Sequence, residues 1–233
     1  MTGRLAGAEA LLRWECDLGK IKPDEFIPVA EDSGLIIPIG EWVLRETCRH
    51  TKFFKEKGLT TFPISVNIST KQLMNPHIVE RIERILFEEK VDPKLITLEI
   101  TESALLFYED AKESIFELRK LGVGISLDDF GVGYSSLSMI RNIRIDELKI
   151  DKSFLNDALV DSRVRSLLKT IISIGKRLEA KVIIEGIETA EELDILMEQD
   201  VYGQGYFYSH PLPVHEFAEW YLKGACHFPV FSD

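Results

Sequence analysis

Cysteine is scarce in this chain. Cys16, Cys48 and Cys226 are the whole complement among 233 residues, odd in number and without metal-ligand spacing. A disulfide framework is excluded, and free thiols in a reducing compartment are expected. Positive charge is short as well: 28 Lys and Arg stand against 39 Asp and Glu, a formal net charge of -11. Binding along a DNA or RNA backbone needs clustered cations, so no nucleic-acid polymer is an expected partner. Long apolar runs are missing. The most apolar stretch, Gly34 to Ile39, is too short to cross a bilayer. Met1-Thr2-Gly3-Arg4-Leu5-Ala6 has no apolar signal region, so a cytoplasmic location is expected. What remains is an ordinary globular composition, 45% hydrophobic and 29% charged, in a chain long enough for one large domain or two small ones.

The pattern alternates between two periods. Apolar residues at every second position predict strands over Ala8 to Trp14, Phe62 to Ser69, Ile96 to Thr101, the run from Ile125 through Asp128, Glu147 to Asp151 and Lys181 to Gly186; a short Gly203 to Tyr208 is a seventh candidate. Helices are predicted from Pro23, from about Glu41 to Lys57 with Gly58 as its stop, over His77 to Glu89 and over Asp110 to Leu121. One amphipathic helix runs through Val164, Leu167, Leu168, Ile171, Gly175 and Leu178, whose apolar residues read as core. Thr189 and Glu192 have capping-box spacing, and a last helix covers Val214 to Lys223. Strands alternating with helices predict an α/β fold with a mainly parallel sheet, and the number of units favours a (β/α) barrel. A doubly wound sheet would want a nucleotide-type Gly loop after the first strand, which is missing here.

The stretch Ser126-Leu127-Asp128-Asp129-Phe130-Gly131-Val132-Gly133-Tyr134-Ser135-Ser136 stands out. Two adjacent carboxylates end an apolar run and lead into a Gly-rich turn. They repel each other, more so in apolar surroundings, and a cation would reverse that penalty. Alone, the stretch reads either as a metal site or as a solvated turn with a capping Asp. The strand faces bear on the choice. With each apolar face turned toward the helices, Glu9, Arg13, Asn67, Glu99, Asp128, Lys149 and Glu185 all point inward. Each has a plain alternative: Glu99 or Glu185 paired with Lys149 as a structural ion pair, Arg13 extended to a rim, Asn67 on a loop backbone. All of them in phase at once call for a shared partner, and a hard divalent cation with oxygen ligands, Mg²⁺ or Mn²⁺, meets the need. Glu88, Glu89, Glu191 and Glu192 read as solvated helix faces. His50, His77, His210, His215 and His227 share no phase and receive no metal role.

These residues also resemble a family. Glu9-Ala10-Leu11-Leu12-Arg13-Trp14 is similar to the name-giving motif of the EAL-domain cyclic-di-GMP phosphodiesterases. It is followed, in the family's order, by Phe26-Ile27-Pro28-Val29-Ala30-Glu31, Asn67-Ile68-Ser69, Glu99-Ile100-Thr101-Glu102-Ser103, the Asp-Asp-Phe-Gly loop, Leu148-Lys149-Ile150-Asp151, Glu185-Gly186-Ile187-Glu188-Thr189 and Gln204-Gly205-Tyr206. The resemblance implies a TIM-like barrel over residues 1–233 that linearises cyclic di-GMP to pGpG with two Mg²⁺ or Mn²⁺ ions. It implies that Glu9, Asn67, Glu99 and Asp128 hold one metal, and that Asp128 bridges to a second held with Asp129 and Glu185. Lys149 would contact the attacking water, Glu185 would help activate it, and Glu102 would brace the Asp-Asp loop. Arg13, Leu11, Asp151, Glu188 and Gln204 would meet the ligand. A homodimer, and an upstream sensory or GGDEF-type domain outside this chain, are implied as partners.

Three departures from the family pattern are visible. Val132 stands where Thr is usual; Ile184 and Ile187 replace a common Ala and Val, as packing changes. The family's leading helix and antiparallel strand, with a Tyr-Gln-Pro-type motif, have no counterpart before Thr2-Gly3-Arg4, so seven strands and an open edge are expected. The alternative function is a non-catalytic cyclic-di-GMP receptor or interaction module. A third reading, another metal-dependent barrel enzyme that abstracts a proton beside a carboxylate, lacks support from the ordered motifs.

Overall fold

The computed structural model describes residues 4–17, 19–59, 62–131, 143–197 and 199–224. Val132 and the rest of its loop, and Cys226, lie outside the described residues. The chain divides into two compact units, one holding Gly7–Ile100 with Phe107–Gly124, the other Thr101–Leu106 and the residues from Ile125 onward.

In the first unit the order is β1 (Ala8–Ala10), β2 (Trp14–Cys16), β3 (Gly19–Ile21), α1 (Pro23–Ser33), α2 (Ile36–Glu56), β4 (Ile64–Asn67), α3 (Thr70–Leu73), α4 (Ile78–Glu89), β5 (Ile96–Thr101) and α5 (Tyr108–Leu121). β4 lies between β1 and β5, parallel to both, with Glu9 level with Ser65 and Asn67 level with Glu99. Ile64, Val66, Ile96, Leu98 and Ile100 are buried, as their alternation predicts. The opposite face is buried too, through Ser65, Thr97 and Glu99. Burial on both faces is usual for strands of a parallel sheet.

The first strand is shorter than the expected Ala8 to Trp14. It ends at Ala10, and Trp14 opens an antiparallel hairpin opposite Ile21. The period-2 pattern continues through Arg13, yet Leu11, Arg13 and Trp14 are exposed. Alternation alone cannot tell a strand that stays in its sheet from one that leaves it. α2 starts at Ile36, before the expected Glu41, because Pro38 falls in the first turn where no intrahelical N–H bond is lost. Glu89 is not a solvated residue. Its side chain is mostly buried and meets Lys52 at 2.7 Å and Arg49 at 3.6 Å, and those cations hold its carboxyl below the usual range. The exposed Glu88 meets Arg45 at 2.6 Å.

The second unit continues with β6 (Gly124–Phe130), β7 (Glu147–Ile150), α6 (Lys152–Val160), α7 (Ser162–Arg177), β8 (Lys181–Ile184), α8 (Ala190–Leu196), β9 (Tyr202–Gly203) and α9 (Val214–Leu222). The strands run in parallel in the order β6-β7-β8-β9. Two helices follow β7 where one was expected. Asp161 ends α6 and caps α7, accepting the Arg163 N–H at 2.8 Å. Leu167 is half-exposed rather than core. The expected Gly203 to Tyr208 strand shrinks to two residues, since Gly205 (φ 157°) turns the chain against the Ile187 backbone. Ile184 and Ile187 are fully buried, in keeping with a packing role.

Candidate active site

The register of β6 against β7 shifts by one residue. Leu127 is level with Leu148, but Phe130 is level with Ile150. One strand thus spends three steps where its partner spends two, which is a β-bulge. Asp128 and Asp129 occupy it, and Asp129 has φ 56°. In a regular strand, neighbouring side chains point to opposite faces. The bulge cancels that rule here. Asp128, Asp129 and Glu185, just past β8, each offer a carboxylate oxygen, all within 4.8 Å of one another.

Lys149 of β7 lies beside this cluster. Its side chain is 1% exposed, and its Nζ is 2.7 Å from Glu185 Oε1 and 3.4 Å from Asp128 Oδ1. A buried ammonium needs such partners, and these carboxylates need such a cation. Asp129 as a whole reaches solvent, yet partial desolvation pushes its carboxyl above the usual range. The charges of Asp128 and Asp151 add to the push, and Lys149 opposes it. An all-oxygen donor set of this kind suits a hard divalent cation.

The turn after the bulge is braced from below. Buried Glu102 accepts the Gly131 N–H at 2.6 Å. Gly131 has φ 100°, and a Cβ there would come within 2.2 Å of the Phe154 ring, so only glycine fits. Asp151 is half-buried and caps α6, accepting the Ser153 N–H at 2.9 Å. Exposed Glu188 and half-buried Gln204 follow β8 and β9, and the Gln204 N–H donates to the Ile184 carbonyl at 2.9 Å.

In the first unit, the Asn67 amide donates to Glu9 Oε1 at 2.9 Å. Glu99, level with Asn67, is buried. These side chains therefore occupy consecutive strands in regular register. Leu11 and Arg13 stand apart from the sheet, and Arg13 donates to the Leu12 carbonyl at 2.9 Å. The strand phase that predicts an inward Arg13 stops at Ala10, so it does not reach this residue.

Glu192 is a further correction. Expected on a solvated helix face, it is instead 6% exposed, and its carboxylate accepts the Glu188 and Thr189 N–H groups at 2.7 and 2.9 Å. The capping-box spacing of Thr189 and Glu192 already points to this role, and the structure bears it out.

A family model described as the EAL domain matches residues 1–211. The chain belongs to the EAL-domain family. It is 38% identical over 217 residues to the bifunctional diguanylate cyclase/cyclic di-GMP phosphodiesterase MucR of Pseudomonas aeruginosa, across 92% of this chain and 32% of that protein. It is likewise 38% identical to the oxygen sensor protein DosP of Escherichia coli, across 94% of this chain and 28% of that protein. The EAL domain described here thus spans about a third of these relatives' length or less. Among solved structures, the PaMucR phosphodiesterase in complex with c-di-GMP matches with a TM-score of 0.85 at 37% identity, covering 93% of this chain and 89% of that one. The EAL enzyme Bd1971, with cAMP and cyclic di-GMP bound, matches with a TM-score of 0.87 at 32% identity, covering 92% and 60%. The expected fold class, an α/β fold of the EAL type, is thereby established.

Proposed function

We propose that this EAL domain is a metal-dependent phosphodiesterase that hydrolyses cyclic di-GMP to linear pGpG. The observation that carries the reading is the convergence of Asp128, Asp129 and Glu185 beside the buried Lys149. Asp128, Asp129 and Glu185 would hold one Mg²⁺ or Mn²⁺. Glu9, Asn67 and Glu99, with Asp128, are proposed for another on family resemblance. Such ions, when bound, polarise phosphoryl oxygens and lower the pKa of water.

The chain's own groups supply the rest. The Lys149 ammonium donates to the water oxygen and orients it. Glu185 accepts the proton released as that oxygen bonds to phosphorus. The phosphorus–O3′ bond breaks, and the departing 3′ oxygen takes up a proton from solvent. One water is consumed and one 5′-phosphate is formed, as the product pGpG requires. Arg13 is proposed to swing from the Leu12 carbonyl to a ligand phosphate. Leu11, Asp151, Glu188 and Gln204 are proposed as ligand contacts, and Glu102 keeps the bulge in shape through the Gly131 amide. A homodimer, control by domains such as those of the longer relatives and a cytoplasmic setting belong to the same reading. Among the described residues, no helix is long and apolar enough to cross a membrane.

The test is incubation with cyclic di-GMP and Mg²⁺ or Mn²⁺, with and without chelator, with products separated by chromatography. Chelator-sensitive pGpG is expected. Bound but intact ligand at saturating metal would select a receptor instead.

A further inference from the structure

The segment between β8 and α8 carries Glu185 and Glu188, and nearly every peptide in it is fastened. The Glu185 N–H donates to the Ile150 carbonyl at 3.0 Å. The Ile187 N–H donates to the Gln204 carbonyl at 3.0 Å, and the Ile187 carbonyl accepts the Phe207 N–H at 2.9 Å. Gly186 turns at φ 69°, with Lys152 packed where a Cβ would stand. The last two amides, of Glu188 and Thr189, have a different anchor. Both donate to one oxygen of Glu192.

An ordinary capping box needs only the N-cap amide on this carboxylate. The additional Glu188 amide, at the shorter 2.7 Å, extends the grip one residue back toward the cluster. We propose that Glu192 is a positioning residue: its buried carboxylate sets the course of the loop and so aims Glu188 at the ligand. This rests on the reading of Glu188 as a contact to cyclic di-GMP. Without Glu192, two amides must find new partners, and the downstream end of the loop loses its anchor. Glu185 keeps its own tie to Ile150, so the effect falls on ligand binding more than on the chemical step.

The experiment compares Glu192→Ala, Glu192→Gln, Thr189→Ala and Glu188→Ala. Thr189→Ala removes the other half of the capping box and leaves the amide grip in place. It separates a helix cap from a positioning role. Amide hydrogen exchange over residues 186–189 is read first, since it needs no activity. Glu192→Ala is expected to speed exchange there about tenfold or more, by freeing amides that were bonded. Its KM for cyclic di-GMP should rise about tenfold with little change in kcat, the pattern of lost binding rather than lost chemistry. Glu192→Gln, which keeps an acceptor and is the variant safest for folding, should recover most of both. Adding Glu192→Ala to Glu188→Ala should raise KM no further, because the two act through one contact. Unchanged exchange in Glu192→Ala, or an equal KM rise in Thr189→Ala, overturns the proposal. A wild-type domain that neither binds nor cleaves cyclic di-GMP removes the ligand reading, and with it the role in aiming Glu188. In that case exchange still reports whether the grip exists.

Discussion

The two units present their polar site candidates in opposite ways. In the first, Glu9, Asn67 and Glu99 sit in unbroken parallel register, one side chain per strand. In the second, β6 contributes two carboxylates from adjacent positions, which regular alternation forbids and a bulge permits. Regular strands hold their polar side chains by the same hydrogen bonds that build the sheet. A bulge needs support from outside the ladder. Here that support is the Glu102 carboxylate on the Gly131 amide, the glycine itself, and the Lys149 ammonium against two acids. The second unit is therefore the one in which single substitutions should reach furthest.

Lys149→Met is the strongest challenge to that view. It removes the cation between Asp128 and Glu185, which are mostly buried, and leaves their charges facing each other. Breaking a buried pair from one side destabilises by about 3–5 kcal/mol. Urea unfolding in chelator should show a loss of that order, and Mn²⁺ should recover more stability in the variant than in the wild type. Equal metal dependence in the two proteins would mean that the ammonium is not what balances the cluster.

Glu102→Ala comes next. It strips the charged acceptor from the Gly131 N–H in a part-buried bond and is expected to destabilise by about 1.5–3 kcal/mol, the worth of a hydrogen bond to a charged group. Turnover should fall with it, because Asp128 and Asp129 lie immediately before that turn. Its counterpart in the regular register is Asn67→Ala. The Asn67–Glu9 bond is solvent-exposed, so its loss is worth only about 0.5–1.5 kcal/mol. Thermal melts of both variants in chelator rank the two units directly. A larger loss at Asn67 would reverse the comparison.

Much of the first unit was legible in the amino-acid pattern. Ile96–Thr101 was expected with both ends correct, and the faces of Ile64, Val66, Ser65 and Asn67 followed from alternation. What escaped was set by events that periodicity does not register. The chain leaves the sheet after Ala10 although the apolar alternation continues. The bulge breaks the two-residue period just where Asp128 and Asp129 meet, so their adjacency hinted at a shared site without saying how one strand could aim both. The helix Lys152–Val160 was not expected at all; it ends at Asp161, whose side chain caps the expected helix that follows. Glu89 and Glu192 looked like solvated charges because their partners come from another helix and from backbone amides.

The smallest expected effect concerns Cys48 of α2, inside the first unit. Burial pushes its thiol up to about 11, helped by the charge of Glu89 and opposed by Lys52 and Arg45. In the unfolded chain the same thiol ionises near its ordinary value of about 8.5. The sign follows from linkage. Between those two values the unfolded state has released the proton and the folded state has kept it, so stability falls as pH rises through that window. Cys48→Ala should flatten this alkaline decline relative to wild type, in melts compared at neutral and alkaline pH. Cys48 is also fully buried, so with Cys16→Ser and Cys226→Ser in place, thiol labelling should proceed only through opening of the first unit. If Lys149→Met loosens the second unit alone, labelling of Cys48 stays at the wild-type rate in chelator. If the two units open together, labelling speeds up with the loss of the ammonium, and their contrasting architectures then share one unfolding transition.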